Sequence, residues 1–415
     1  MTSFYDTLET RTPADREAAL LAALPAQVAH ARNAAPAFAA ILADVDPASI
    51  TSREALARLP VTRKYELLER QQAHRADNVF GGFSAVGFGA AMPRVFSSPG
   101  PIYEPEGKRA DYWRMARALH AAGFRAGELV HNSFSCHFVP AGSMMESGAH
   151  ALGCTVFPGG TGQTEQQVQA MAELRPAGYI GTPSFLKLIL EKSVELQQPI
   201  LSMNKALLSG EAFPPSLRDW LAERGVQGYQ CYATADLGLI AYETAAREGL
   251  VLDEGVMVEI VRPGTGDPVP EGEVGELVVT TLNPDYPLIR FGTGDLSAIL
   301  PGQCPTGRTN TRIKGWMGRA DQTTKVRGMF VHPGQVAAIA ARFPQVLRAR
   351  LVVSGEMAND QMVLQAETAE FASGLAERLQ DTIREVTKLR GEVELVAPGT
   401  LPNDGKVIED ARSYR

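Results

Sequence analysis

Apolar and polar positions near the start of the chain follow a helical period. Thr12-Pro13-Ala14-Asp15 supplies a hydroxyl cap, a proline at the first helical position and an acid in the first turn. The Ala/Leu-rich run behind it predicts an amphipathic helix to about Ala35. A second helix is predicted around Ser52–Arg58, ahead of Leu59-Pro60-Val61-Thr62. From Glu128 to Tyr232 the pattern changes to short apolar runs, Leu129–Phe134, Cys154–Phe157, Gly178–Gly181, Ala206–Leu208 and Tyr229–Tyr232. Helical intervals, Thr164–Leu174, Ser184–Gln197 and Pro214–Arg224, separate the last four. Strand and helix alternating at this spacing predict a parallel sheet with helices on its faces, and such sheets gather ligands at the carboxyl ends of their strands.

After Glu243 the pattern alternates, with Val-rich Gly249–Val261 and Gly275–Leu282 flanking a Pro/Gly turn at 262–268, which predicts a small antiparallel element. Past Asp321 come a strand with a short helix (Val326–Arg342), strands at Leu347–Val353 and Gln361–Glu367, a long helix (Ala369–Leu389) and a strand at Val393–Val396. That β-α-β-β-α-β succession is ferredoxin-like. The fold expected is therefore α/β. A large N-terminal domain over residues 1–320 carries helix-flanked, mostly parallel sheets and a small β-element; a small α+β domain follows over 321–415.

Two or three domains suit a length of 415 residues. A formal net charge of -7 argues against nucleic acid as a partner, since phosphate neutralisation needs clustered cations. No uncharged apolar run is long enough to span a bilayer, and Asp6, Glu9 and Asp15 are unlike the basic start of a signal peptide. A cytoplasmic protein that does not engage membranes is expected. Cys136, Cys154, Cys231 and Cys304 lie far apart with no CxxC spacing and read as reduced, mostly buried thiols. They cannot furnish four ligands at usable spacing, so no zinc is expected.

Three constellations carry chemistry. Tyr286–Asp295 reads Tyr-Pro-Leu-Ile-Arg-Phe-Gly-Thr-Gly-Asp. Its glycines permit a tight turn, and the Asp295 carboxylate can accept two hydrogen bonds from vicinal ribose hydroxyls. Gly318-Arg319-Ala320-Asp321 leads into Lys325-Val326-Arg327-Gly328. Lys406 stands behind a glycine turn in Leu401-Pro402-Asn403-Asp404-Gly405-Lys406, as a lysine delivered to a site on another domain would.

In this order the three resemble the signatures of the acyl-adenylate-forming enzymes, and of the phenylacetate–CoA ligases in particular. The resemblance runs from about Leu59-Pro60 to Lys406. It implies that ATP activates a carboxylate as acyl-AMP, that coenzyme A takes the acyl group, and that the C-terminal domain is mobile. It makes Lys406 the catalytic residue, stabilising charge on the α-phosphate in an in-line displacement. It places Asp295 and Arg319 on the ribose, Asp321 at the hinge, and Lys325 and Gly328 on the loop that approaches the site for the thioester step. Tyr232-Ala233-Thr234-Ala235-Asp236 resembles the aromatic-Gly-x-x-Glu element, with Tyr232 against adenine, Thr234 on phosphate and Asp236 toward Mg²⁺. Ser209-Gly210-Glu211 resembles the adenine-site segment. Similar ligases are often homodimers.

Two departures stand out. Where the family carries a Ser/Thr/Gly-rich phosphate loop with a lysine, this chain has Phe96–Pro105, keeping Ser97, Ser98 and Gly100 in type. Pro99 and Pro101 remove N–H donors, and Glu104 is expected to add a repelling charge. Where relatives carry Cys-Pro-Cys-Gly-Arg, this chain has Cys304-Pro305-Thr306-Gly307-Arg308. For the acyl pocket, Phe134 and Phe138 on one wall and Tyr232 with Gly238–Ala241 on the other would face an aryl carboxylate. An adenylating enzyme with a non-CoA acceptor, and a paralogue that binds nucleotide or aryl acid without turnover, stay open as alternatives. A serine hydrolase and a dinucleotide oxidoreductase are poor fits, for lack of G-x-S-x-G and of G-x-G-x-x-G opening a helix.

Overall fold

A computed structural model describes residues 4–320, 322, 324–326, 329–355 and 360–412, with backbone alone at 325, 329 and 330. The chain divides into two compact units. One holds 1–258, 279–291 and 300–315, the other 259–278, 292–299 and 316–415. The second unit thus takes in 259–278, 292–299 and 316–320, all ahead of the boundary expected at 320. The strands Val256–Val261, Gly275–Thr281 and Phe291–Ser297 each begin in one unit and end in the other.

In the first unit, Thr12 starts the long helix Pro13–Ala34 as its sequence dictates, its Oγ1 accepting from the Asp15 N–H at 3.1 Å. Ser52 does the same for Arg53–Ala57. The predicted apolar runs form parallel strands of a nine-stranded sheet, in the order Thr155–Pro158, Leu129–Asn132, Gly178–Gly181, Lys205–Leu208, Gln227–Thr234. The sheet then turns antiparallel through Gly238–Glu243 and Leu250–Leu252 to Arg312–Ile313. Alternation along each strand sorts side chains onto two faces. Ile180 and Leu207 pack with Met115, Leu119, Met144 and Met145 from the helices Met115–Ala121 and Ala141–Leu152. Tyr179, Ala206 and Leu208 pack instead with Val168, Met171, Leu186, Ile189 and Leu221 from the helices Thr164–Leu174, Pro183–Glu195 and Pro215–Ala222.

The first strand ends at Asn132 rather than at Phe134. Asn132 Oδ1 accepts from the Phe134 N–H at 3.2 Å and its Nδ2 donates to Gly142 O at 2.9 Å, which turns the chain out of the ladder. The four cysteines are free thiols, with Cys136 exposed and the other three buried. No helix is long and apolar enough to cross a membrane among the described residues.

The second unit contains a sheet in the order Glu392–Val396, Gln361–Thr368, Val346–Ser354, Ile408–Asp410. The helices Pro333–Ala340 and Leu375–Thr387 cover it, and Val336, Ile339, Leu351, Leu364, Leu379 and Ile383 form its core. The opening strand of the predicted succession lies outside this sheet. Thr324–Val326 pairs with Met329–Val331 in a hairpin of its own. Ile408–Asp410, which periodicity did not reveal because it is three residues long, pairs in parallel with Leu351–Val353.

Candidate active site

In the first unit the parallel strands bring the predicted nucleotide segments to one edge. Ser209-Gly210-Glu211 follows Lys205–Leu208, and Tyr232–Thr234 ends the neighbouring strand. The loop 133–140 follows Leu129–Asn132, where successive connections leave to opposite sides. That strand lies between Thr155–Pro158 and Gly178–Gly181, so its loop stands at a topological switch point. Phe138 projects there 77% exposed, whereas Phe134 is buried in the core. Ser209 Oγ donates to Cys231 O at 2.9 Å, tying the two nucleotide segments together. Glu211 Oε2 accepts from the Ser184 N–H at 3.3 Å, in the first turn of the Pro183–Glu195 helix. Thr234 Oγ1 accepts from the Leu237 N–H at 3.2 Å, which leaves its own hydrogen to donate. Gly238 has φ +72°, and a Cβ there would lie 2.7 Å from Trp113 O. It closes the hairpin against Trp113 rather than lining open space.

The segment expected to resemble a phosphate loop is a tight hairpin, Arg94–Ser98 against Ile102–Glu106, with Pro99-Gly100-Pro101 at its tip. Three of its donors are engaged within the protein. The Ser97 N–H donates to Phe138 O at 2.6 Å, the Ser98 N–H to Glu104 Oε2 at 3.2 Å, and Ser98 Oγ makes a close hydrogen bond to Glu104 Oε1. Glu104 corrects the expectation of a repelling charge. It is fully buried, and burial, with the Asp236 carboxylate adding to it, pushes its pKa to about 8, so it keeps its proton at neutral pH.

Lys64, which sequence reasoning passed over, ion-pairs with Asp236 Oδ2 at 2.8 Å. The Asp236 side chain is 0% exposed and its Oδ1 has no hydrogen-bond partner among the described residues. Mg²⁺ demands an octahedron of oxygens and gives up its waters reluctantly. A sealed carboxylate already facing an ammonium does not fit the direct ligand role that the resemblance gives Asp236. Among the described residues no group of three or more His, Cys, Asp or Glu could hold a metal ion. Arg290, also in the Tyr286–Asp295 stretch, is buried and donates from Nη1 to Ala57 O at 2.7 Å and, closely, to Leu59 O. It anchors the chain just ahead of Lys64.

In the second unit two motifs separated in sequence meet. Arg319 Nη1 donates to Asp295 Oδ1 at 3.0 Å, and the backbone is stitched alongside by Ala320 N–H to Gly294 O at 2.7 Å and Leu296 N–H to Gly318 O at 2.9 Å. Trp316 Nε1–H also donates to Asp295 Oδ1, at 3.0 Å. Nothing in the motif pointed to Trp316, although an exposed indole two residues before Gly318 is the kind of side chain that caps a carboxylate. Ribose hydroxyls reaching Asp295 would compete with that indole. Adding AMP or ATP is therefore expected to change the fluorescence of the protein, and Trp316→Phe to abolish the change. An unaltered signal in the variant would place the response at Trp113 or Trp220.

Lys406 is exposed and borders a cleft within the second unit with Arg262, Arg348 and Glu273. Gly405 before it has φ +69°, and a Cβ there would lie 2.7 Å from Val274 Cγ1. Asn403 Oδ1 accepts from the Val274 N–H at 3.2 Å, and Gln322 Oε1 accepts from the Val407 and Ile408 N–H groups at 2.8 and 2.9 Å. The hinge and loop residues Asp321 and Gly328 lie outside the described residues; of Lys325 only the strand it occupies is described.

A sequence model of the family described as AMP-binding enzyme matches residues 110–283. The phenylacetate-coenzyme A ligase of Thermus thermophilus is 30% identical over 367 residues, covering 83% of this chain and 79% of that one. That of Aromatoleum evansii is 28% identical over 379 residues, covering 85% and 83%. A solved structure of 2-hydroxyisobutyryl-CoA ligase with 2-HIB-AMP and CoA in the thioesterification state is 26% identical, with a TM-score of 0.71 and coverage of 98% of this chain and 92% of that one.

Proposed function

Since this chain belongs to the phenylacetate–CoA ligase-like AMP-binding enzymes, we propose that the acid it activates is an aryl carboxylate of the phenylacetate kind. It is an AMP-forming acid–CoA ligase acting on small-molecule carboxylate and CoA. In the first half-reaction a carboxylate oxygen forms a bond to the α-phosphorus of ATP while the bond to the bridging oxygen breaks, releasing pyrophosphate. In the second, the CoA sulfur attacks the acyl carbon, AMP leaves with the bonding pair, and the thiol proton passes to water.

The observation that carries the site assignment is the meeting of Asp295 and Arg319. In this reading they hold the ribose, Tyr232 lies against adenine, Ser209-Gly210-Glu211 borders it, and the Thr234 hydroxyl donates to phosphate. Lys406 neutralises charge on the α-phosphate. Asp321 is the hinge, and Lys325 with Gly328 belongs to the loop used in the thioester step. The aryl group rests by Phe138 at the switch-point loop; the aryl preference itself is supported by the named relatives. Mg²⁺ arrives as the counter-ion of the ATP phosphates, with Asp236 held by Lys64 instead. Because Ser97 and Ser98 give their N–H groups to protein acceptors, the hairpin offers pyrophosphate a weaker grip than a glycine-rich cradle. A homodimer working in the cytoplasm, where ATP and CoA are at hand, completes the reading.

The test is pyrophosphate release with ATP, magnesium and a panel of acids, with and without CoA. Release with phenylacetate-like acids, and acyl-CoA only when CoA is present, is the expected result. Faster turnover of short aliphatic acids than of every aryl acid would overturn the aryl assignment while leaving the ligase intact.

A further inference from the structure

Arg350, on the strand Val346–Ser354, is 4% exposed, and its guanidinium is directed onto the segment that carries Lys406. Its Nη2 makes a close ion pair with Asp404 Oδ1, its Nε donates to Lys406 O at 3.1 Å, and its Nη1 donates to Glu409 Oε2 at 2.9 Å. The same Asp404 Oδ1 accepts from the Lys406 N–H at 3.0 Å. Immediately after the lysine, Leu351 N–H donates to Val407 O at 2.8 Å and the chain enters its pairing with Leu351–Val353. One buried guanidinium thus holds the turn before, at and after the lysine.

Such a fixture has a physical purpose. A turn built on a glycine has no Cβ at that position to hold it, and the ammonium it carries sits at the end of a four-carbon stem. Any freedom in the turn adds to the freedom of the stem. An in-line displacement needs its charge stabiliser placed within fractions of an ångström, and misplacement by about 1 Å costs on the order of 100-fold in rate. The planar guanidinium, with its donors at fixed angles, can bind a carbonyl and two carboxylates at once, which an ammonium cannot do in that geometry.

We propose that Arg350 is a positioning residue for acyl-adenylate formation, fixing the Asp404–Lys406 turn so that the Lys406 ammonium is presented to the α-phosphate. This rests on the reading of Lys406 as the residue that stabilises the adenylation transition state. Arg350 does not touch substrate, and it acts only in the half-reaction that uses Lys406.

The test follows both half-reactions of the full-length enzyme separately: pyrophosphate release in a single turnover, and thioester formation from chemically prepared aryl-AMP and CoA. The variants are Arg350→Ala, Arg350→Lys, Asp404→Asn and Lys406→Ala, each with its melting temperature. Arg350→Ala is expected to slow adenylation by about 10- to 100-fold through kcat, with the KM for ATP and the thioester step little changed. Arg350→Lys should recover part of that loss. Asp404→Asn removes one arm of the fixture without opening the buried site, so it reports on positioning even where Arg350→Ala is poorly folded; it should show the same split, more weakly. Adenylation at the normal rate in Arg350→Ala and Asp404→Asn, with Lys406→Ala inactive, would overturn the proposal and leave the Lys406 reading standing. Equal losses in both half-reactions, tracking melting temperature, would reduce Arg350 to a structural role. Normal adenylation by Lys406→Ala would remove the Lys406 reading and the proposal with it.

Discussion

Replacing Lys406 with alanine is expected to slow acyl-adenylate formation by about two to three orders of magnitude, while thioester formation from preformed acyl-AMP proceeds within about threefold of normal. Charge grows on the α-phosphate only during the first half-reaction, so a group that meets this charge affects that step alone. The placement of Lys406 makes the experiment clean. Among the described residues its ammonium has no hydrogen-bond or ion-pair partner, so its removal breaks no polar contact among them and the melting temperature should move little. Its cleft also carries Arg262 and Arg348 against Glu273, an excess of positive charge suited to a polyphosphate. Measuring the two half-reactions separately checks the expectation. A variant equally impaired in both would show that Lys406 is not confined to adenylation.

What could be read in the sequence was what local rules determine. Thr12 caps its helix because a hydroxyl before Pro-Ala-Asp has a donor to accept from, and Thr164–Leu174 forms at its expected bounds. Asp295 and Arg319 were legible as chemistry because glycines flank them in a known order, and the fold brings them to 3.0 Å. The residues missed are those whose importance lies in tertiary placement. Lys64, Trp316 and Arg350 sit in unremarkable local patterns, and only folding sets them against Asp236, Asp295 and the Lys406 turn. Glu104 was visible but misread, since charge counting assumes water around the carboxyl and here there is none. The hairpin Arg94–Glu106 shows the same limit: its prolines mark a departure from a phosphate loop in the sequence, but only the fold shows its serine N–H groups given to Phe138 O and to the buried Glu104 carboxyl.

Lys64→Met should lower stability by about 3 kcal/mol near neutral pH, because it leaves the sealed Asp236 carboxylate without its cation. The lysine side chain is 30% exposed against 0% for the aspartate, so water can replace part of what the ammonium supplied, and the cost falls short of that for a wholly buried pair. The loss should depend on pH through Glu104. Burial, and after it the Asp236 charge, raises the Glu104 pKa to about 8, while the Ser98 hydrogen bond and Lys64 pull the other way. An acid whose folded pKa lies above its unfolded value of about 4.3 holds a proton in the native state that the unfolded chain has released. Stability then falls as pH rises from about 4.3 toward 8 and is undiminished below that window. Removing the lysine charge pushes Glu104 higher still, so the deficit of Lys64→Met should be larger at pH 8.5 than at pH 5. Glu104→Gln, which has no proton to lose, should flatten the fall in the parent protein and narrow the pH dependence in the double variant. Melting temperatures from pH 5 to 8.5 decide it. Equal deficits for Lys64→Met at both ends, or an unchanged slope in Glu104→Gln, would mean that the buried carboxyl is not what ties this hairpin to pH.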